Sequence, residues 1–192
     1  MPELPDITVY VESLDAKVRG DTLRRVRVAS PFLLRTAVPP ITSAEGKQVV
    51  GTRRLGKRVV IALESDLFLV LHLMIAGRLH WHAAIGKPPA KAALATFEFN
   101  GGTLAFTEAG TQRRASLHLV SGRDALVAMD PGGIDVMHCT SAEFAAQLAA
   151  ENHTLKRSLT NPQLFSGIGN AYSDEILHRA RMSPVTLTRS LD

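Results

Sequence analysis

Between residues 5 and 19 apolar side chains recur at Ile7, Val11, Leu14 and Val18, in steps of three and four that place them on one side of a helix. Pro5 suits a first helical turn and Gly20 suits the stop, so the spacing predicts an amphipathic helix with one buried stripe. The pattern then changes to short β-rich runs: LRRVRVA, KQVVGTRRLG, KRVVIALE, LFLVLHLMIAG, ATFEFNGGTLAFTE and RRASLHLV. Asn100, Gly101 and Gly102 interrupt one run with the residues of a tight hairpin. Six runs separated by turns predict a sandwich or barrel of antiparallel strands, here taken as a sandwich.

At DPGG, residues 130–133, the strand pattern stops and the composition is that of a linker. Thr140 with Glu143 three residues on has the form of a capping box ahead of EFAAQLAAE. ENHTLKRSLTN and AYSDEILHRAR carry the helical pattern on to Pro184, and LFSGIGN between them is too short and glycine-rich for either element. The expected fold class is α+β. An antiparallel β-sandwich domain over residues 1–133, flanked by the N-terminal helix, precedes an all-helical domain over residues 134–192.

Composition narrows the function classes. No run of about 18 apolar residues occurs, and Glu3, Asp6, Glu12 and Asp15 interrupt the first twenty residues, which excludes a spanning helix and a secretory leader. The expectation is a soluble, cytoplasmic protein with no membrane partner. Cys139 is the only cysteine, so neither a disulfide framework nor a cysteine-based zinc site can form within the chain, and no metal or cofactor is expected in it. The formal charge of +4 hides an uneven distribution: residues 1–60 hold eleven Lys and Arg against six acids, a net of +5. That excess suits a polyanionic partner, although a solvated basic face accounts for it equally well.

The chain starts MPELPD. With Met1 removed, Pro2 presents a secondary amine with a pKa of roughly 7.7 to 8.0 against about 10.4 for lysine, so a useful fraction is unprotonated at neutral pH. Such an amine attacking a sugar C1′ or an aldehyde forms an iminium, an electron sink that acidifies the neighbouring carbon. Glu3 beside it is placed to donate a proton. On these two residues alone, a proline ending a tail and an acid complementing a helix N-terminus is the more economical reading. In GIGN, Gly167 and Gly169 free the backbone at a turn into a helix, where N–H groups and the helix dipole favour an anion. A plain helix-to-helix turn, with Asn170 as N-cap, fits the same residues.

MPELPD, RLGK ending in Lys57, HLMIAGRL from His72, and LKRSLTNPQLFSGIGNAYSDEILHRARMSP together resemble the formamidopyrimidine-DNA glycosylase and endonuclease VIII family, in the family's order from residue 2 to residue 184. The last stretch is similar to that family's helix, two turns, helix element. The resemblance implies a base-excision-repair glycosylase with abasic-site lyase activity, acting as a monomer on double-stranded damaged DNA, nucleoid-associated if bacterial. A damaged nucleotide would be rotated out of the stack. Pro2 would displace the base and form a Schiff base with the deoxyribose, Glu3 would assist opening of the sugar ring, and elimination of the 3′ phosphate would nick the strand. The same resemblance makes Lys57 a proton donor or a holder of a flanking phosphate, and gives His72 a phosphate contact. Lys156, the Gly167 and Gly169 amides and Asn170 would grip phosphates without reading sequence. Tyr172 and Glu175 match the family's pattern on the second helix. As bare residues, Lys57 reads more readily as a solvated hairpin charge, His72 equally as an ordinary strand histidine, and Tyr172 and Glu175 as helix packing and an exposed acid.

Several positions depart from the family. Asp6 stands where a glutamate is usual, moving a carboxylate back by one methylene. Ile75 occupies the place of a methionine wedge and would fill the gap left by an extruded base. EAGTQRRAS replaces an aspartate-proline-arginine-arginine-phenylalanine segment, so Arg114 matches an inserted arginine whereas Ala115 cannot be an aromatic wedge. Family members continue to a zinc finger with four cysteines or its zinc-free imitation, and this sequence ends at Asp192, so it is expected to hold the catalytic amine and half of the DNA grip. The competing expectation is a noncatalytic DNA-binding fragment or relative of the same fold, because electrostatic binding survives the loss of alignment more readily than a positioned nucleophile does.

Overall fold

The computed structural model describes residues 1–83, 93–109 and 113–191. The chain divides into two compact units, Met1–Met129 and Asp130–Asp192.

In the first unit, helix α1 (Leu4–Val18) buries Ile7, Leu14 and Val18, three of the four residues of the expected stripe. Eight strands follow: β1 (Thr22–Val28), β2 (Lys47–Leu55), β3 (Arg58–Leu63), β4 (Leu67–His72), β5 (Gly77–His82), β6 (Ala93–Phe99), β7 (Gly102–Glu108) and β8 (Ser116–Ser121). They form one sheet in the order β5-β7-β6-β1-β2-β3-β4-β8, every neighbouring pair antiparallel. β1 and β2 meet at only two registered pairs, Thr22 with Gln48 and Leu23 with Lys47, and here the sheet turns over on itself. Leu69, Leu71 and Leu117 of one half and Phe97, Phe99 and Phe106 of the other then share a single core with α1, which is the expected sandwich.

The apolar runs of β3 and β4 are continuous rather than alternating because both faces are covered. Val59, Ile61, Leu69 and Leu71 face the shared core, whereas Val60, Phe68 and Val70 pack beneath Leu126 of α2 (Arg123–Val127), a short helix that the sequence reading did not anticipate. LFLVLHLMIAG, read as one run, is two elements. β4 stops at His72, and the Gly77 N–H closes a turn onto the Leu73 carbonyl at 2.8 Å before β5 begins. A Cβ at Gly77 would lie 2.2 Å from that oxygen, so the turn requires glycine, and it holds Met74 in the left-handed region at φ 53°.

In the second unit, β9 (Ile134–Asp135), α3 (Ser141–Ala149), α4 (Leu155–Thr160), β10 (Phe165–Ser166) and α5 (Asn170–Ala180) surround Leu155, Leu159, Leu164, Phe165, Ile168 and Leu177. The capping box at α3 forms as expected: the Glu143 N–H donates to Thr140 Oγ1 at 3.2 Å, and the Thr140 N–H donates to Glu143 Oε2 at 2.8 Å. Three expectations need correction. Gly133 does not sit in a free linker but donates its N–H to the Pro162 carbonyl at 3.2 Å, leading into β9. Residues 165 and 166, expected in a loop, pair in parallel with β9. The helical signal of ENHTLKRSLTN also shrinks to α4, since Glu151, Asn152 and His153 precede its N-cap Thr154.

Candidate active site

Glu3 is the N-cap of α1, extended at φ −115°, and is only 2% exposed. Its N–H donates to Asp6 Oδ2 at 2.9 Å and its carbonyl accepts the Ile7 N–H at 2.9 Å, so a fully buried Ile7 and the Asp6 carboxylate fix the backbone at the first turn. Asp6 therefore anchors Glu3, a role its departure from the family did not reveal. Pro2 is buried as well, whereas Met1 is 44% exposed. Lys57 lies in the β2–β3 turn after Gly56, half-buried; burial pushes its amine below the usual lysine range while the negative charge of Glu3 pulls it back up. Pro2, Glu3 and Lys57 thus share one end of the sandwich.

The strand register extends this end. Arg58 pairs with His72 and His72 with Ser116, and with the two-residue alternation of a strand Arg58, His72 and His118 fall on one face of β3, β4 and β8. Burial first, then the charges of Arg58, Lys57 and His118, push the His72 pKa down to about 4, so its imidazole is neutral at pH 7. Burial and the charges of Arg58 and Arg35 lower His118 in the same way. Arg35, Arg58 and His118 were not singled out from sequence; the register places Arg58 and His118 beside His72, and the Arg35 N–H, donating to the Leu117 carbonyl at 2.9 Å, holds Arg35 near His118.

Ile75 stands 58% exposed on the β4–β5 turn. Arg114 is exposed too, and its N–H donates to Glu108 Oε1 at 3.0 Å. Ala115 is buried, consistent with the expectation that it is no wedge. Residues 110–112 of EAGTQRRAS lie outside the described residues.

In the second unit Gly167 adopts φ 92°, a conformation that favours glycine, and lets Ile168 enter the core at 3% exposure. Gly169 is the N-cap of α5 and Asn170 its first residue, which corrects the reading of Asn170 as N-cap. Asn170 is exposed, Tyr172 is 41% exposed, and Glu175 is exposed. Lys156 does not project alone: its Nζ lies 2.6 and 2.8 Å from the two oxygens of Asp174 on α5. Among the described residues, no three His, Cys, Asp or Glu side chains are grouped so as to hold a metal ion, and no helix is long and apolar enough to cross a membrane.

Fold and site together define a two-unit α+β protein in which a sandwich beginning Pro-Glu precedes a helical unit with a glycine-capped helix. The family described as formamidopyrimidine-DNA glycosylase N-terminal domain matches residues 1–115, and the formamidopyrimidine-DNA glycosylase H2TH domain matches residues 128–192. The chain belongs to the formamidopyrimidine-DNA glycosylase and endonuclease VIII family. It is 30% identical to the formamidopyrimidine-DNA glycosylase of Solibacter usitatus over 190 residues, 98% of this chain and 69% of that protein. It is 33% identical to one from Mycobacterium sp. strain KMS, covering 100% of this chain and 71% of that protein. Lactococcus lactis formamidopyrimidine-DNA glycosylase, solved in complex with DNA containing an abasic site, shares the fold at a TM-score of 0.88 and 23% identity, over 99% of this chain and 71% of that one.

Proposed function

We propose that the protein is a DNA glycosylase with abasic-site lyase activity on duplex DNA that carries a damaged base. The observation that carries the reading is the buried Glu3 beside Pro2, its backbone fixed by Asp6 and its charge felt by Lys57. Membership of the family and the names of its relatives support the substrate class.

Removal of Met1 frees the Pro2 nitrogen, which is otherwise tied up in an amide. The amine attacks C1′ of the damaged nucleotide, the bond from C1′ to the base breaks, and the base leaves with its electron pair and takes up a proton. Glu3 protonates the ring oxygen as the sugar opens, leaving an iminium between Pro2 and C1′. The iminium acidifies C2′; loss of a C2′ proton expels the 3′ phosphate and nicks the strand. Lys57, its amine more easily deprotonated than an exposed lysine, supplies a proton or holds a flanking phosphate. Lys156, Asn170 and the amides near Gly167 and Gly169 bind phosphates, with Ile75 and Arg114 filling the space of the extruded nucleotide.

Borohydride reduces the iminium to a stable amine, so trapping tests the mechanism. Wild-type protein lacking Met1 should cross-link to abasic-site DNA through Pro2, and a form retaining Met1 should not. Glu3→Gln should lose base excision by about a hundredfold or more while retaining part of the trapping on a preformed abasic site, whose sugar opens unaided. Absence of any adduct with Met1 confirmed absent by mass overturns the assignment and leaves a DNA-binding relative.

A further inference from the structure

We propose that Glu108 is a positioning residue that sets Ile75 and Arg114 together as a two-part wedge against the DNA stack. The inference rests on the glycosylase reading above and concerns the first residue of EAGTQRRAS, to which the proposed chemistry assigns no role.

Glu108 is 4% exposed at the end of β7, where a strand running to the surface would ordinarily carry a solvated acid. Its carboxylate turns inward. Oε1 accepts the Arg114 N–H at 3.0 Å and the Ala115 N–H at 3.1 Å, and Oε2 accepts the Ala115 N–H again at 3.2 Å. Through its backbone the same residue is registered opposite Gly77, and the next N–H, that of Ala109, donates to the Ala76 carbonyl at 3.4 Å. One residue is therefore tied by its main chain to the turn carrying Ile75 and by its side chain to the segment carrying Arg114.

Both of those side chains are exposed and have little packing to fix them, while the backbone beneath each is fixed. On the Arg114 side the anchors are the Glu108 carboxylate and the buried Ala115; on the Ile75 side they are the Gly77 turn and the Ala76 bond. An apolar side chain and a guanidinium, borne by two fixed backbones at the same end of β5, β7 and β8, suit insertion into a stack of bases. The apolar group replaces stacking, and the guanidinium supplies hydrogen bonds and positive charge. Preorganisation of the backbone removes the ordering cost that two free loops would impose at the moment of insertion. A carboxylate suits this clamp because it offers only acceptors. Glutamine in its place presents an amide N–H₂ toward a backbone N–H, and alanine leaves all three bonds unmade.

The test is a double-mutant cycle read by base unstacking rather than by chemistry. A duplex carrying an abasic-site analogue, with 2-aminopurine as the orphaned base, brightens when that base loses its stacking, and stopped-flow fluorescence follows the step. Arg114→Ala and Glu108→Gln should each slow unstacking by about tenfold, a value within the range of couplings between contacting residues, and the double variant should be no slower than Arg114→Ala alone. Melting temperature is measured on every variant. If Glu108→Gln does not fold, Glu108→Asp, which keeps the acceptors one methylene back, takes its place in the cycle. An unchanged rate in the Glu108 variant, or an equal loss with Arg114 present and absent, overturns the proposal. If the wild type gives neither brightening nor a borohydride adduct, the glycosylase reading falls and this inference with it; an adduct with additive losses in the cycle removes this inference alone.

Discussion

A neutral imidazole at His72 changes what that residue can offer a phosphate. With a pKa near 4, it would meet DNA at pH 7, on the proposed reading, as a neutral hydrogen-bonding group rather than as a cation, beside the basic side chains of Lys57 and Arg58. The depressed value also links stability to pH. The folded pKa lies below the unfolded value of 6.5, so the unfolded chain takes up the proton first as pH falls. Stability from this group is complete above pH 6.5, declines as pH drops toward 4, and is constant below; His118, lowered by the same causes, adds in the same direction. For a half-buried group the loss should be about 1 to 3 kcal/mol. Denaturant unfolding of wild type and His72→Gln across this range should show the variant losing less stability on acidification, and parallel curves would refute the burial argument. Pro2, Glu3 and Lys57 could be singled out from sequence because short motifs carry them. Glu108 and Asp174 could not. Their contacts, with Ala115 and with Lys156, join residues seven and eighteen positions apart that belong to different elements, and no spacing rule links them.

At the scale of elements, the turn between β4 and β5 shows where pattern stops being informative. LFLVLHLMIAG is uniformly apolar, and periodicity cannot mark an end within it; what ends β4 is the bond from the Gly77 N–H to Leu73 and the space only glycine leaves. Likewise β3 and β4 read simply as buried because α2 covers the face that would otherwise be polar. The helical elements with their own signals, α1 with its stripe and α3 with its capping box, formed where the sequence placed them. Gly77→Ala tests the turn. Its Cβ meets a backbone oxygen rather than the end of a flexible side chain, so the turn must open, at a cost of about 2 kcal/mol or more in denaturant unfolding. The same opening should displace Ile75 and slow unstacking more than Ile75→Ala does. A variant as stable as wild type would show that the turn is not closed in solution.

For the whole molecule the decisive quantity is where the charge lies. Residues 1–60 carry +5 of a total of +4, so the rest of the chain is slightly acidic, and the second unit grips phosphates, on the proposed reading, with few cations and with backbone groups. One of those cations is already engaged, since Lys156 is held by both oxygens of Asp174 before any DNA arrives. Transfer of Lys156 to a phosphate exchanges one anion for another and leaves Asp174 to gather cations of its own. The lysine should then contribute less than the roughly one counterion that a free cation releases per phosphate contact. Asp174→Asn should restore that contribution. The slope of log affinity against log salt should steepen by up to about one, and binding at low salt should tighten by at most about fivefold, because both partners are partly exposed, with side chains 37% and 56% accessible. Lys156→Ala in the Asp174→Asn background should remove the gain on all sequences alike, since phosphates carry no sequence information. If Asp174→Asn instead weakens binding, the carboxylate is not a competitor but the support that aims Lys156 at its phosphate, and the pair acts as one unit whose geometry matters more than its charge.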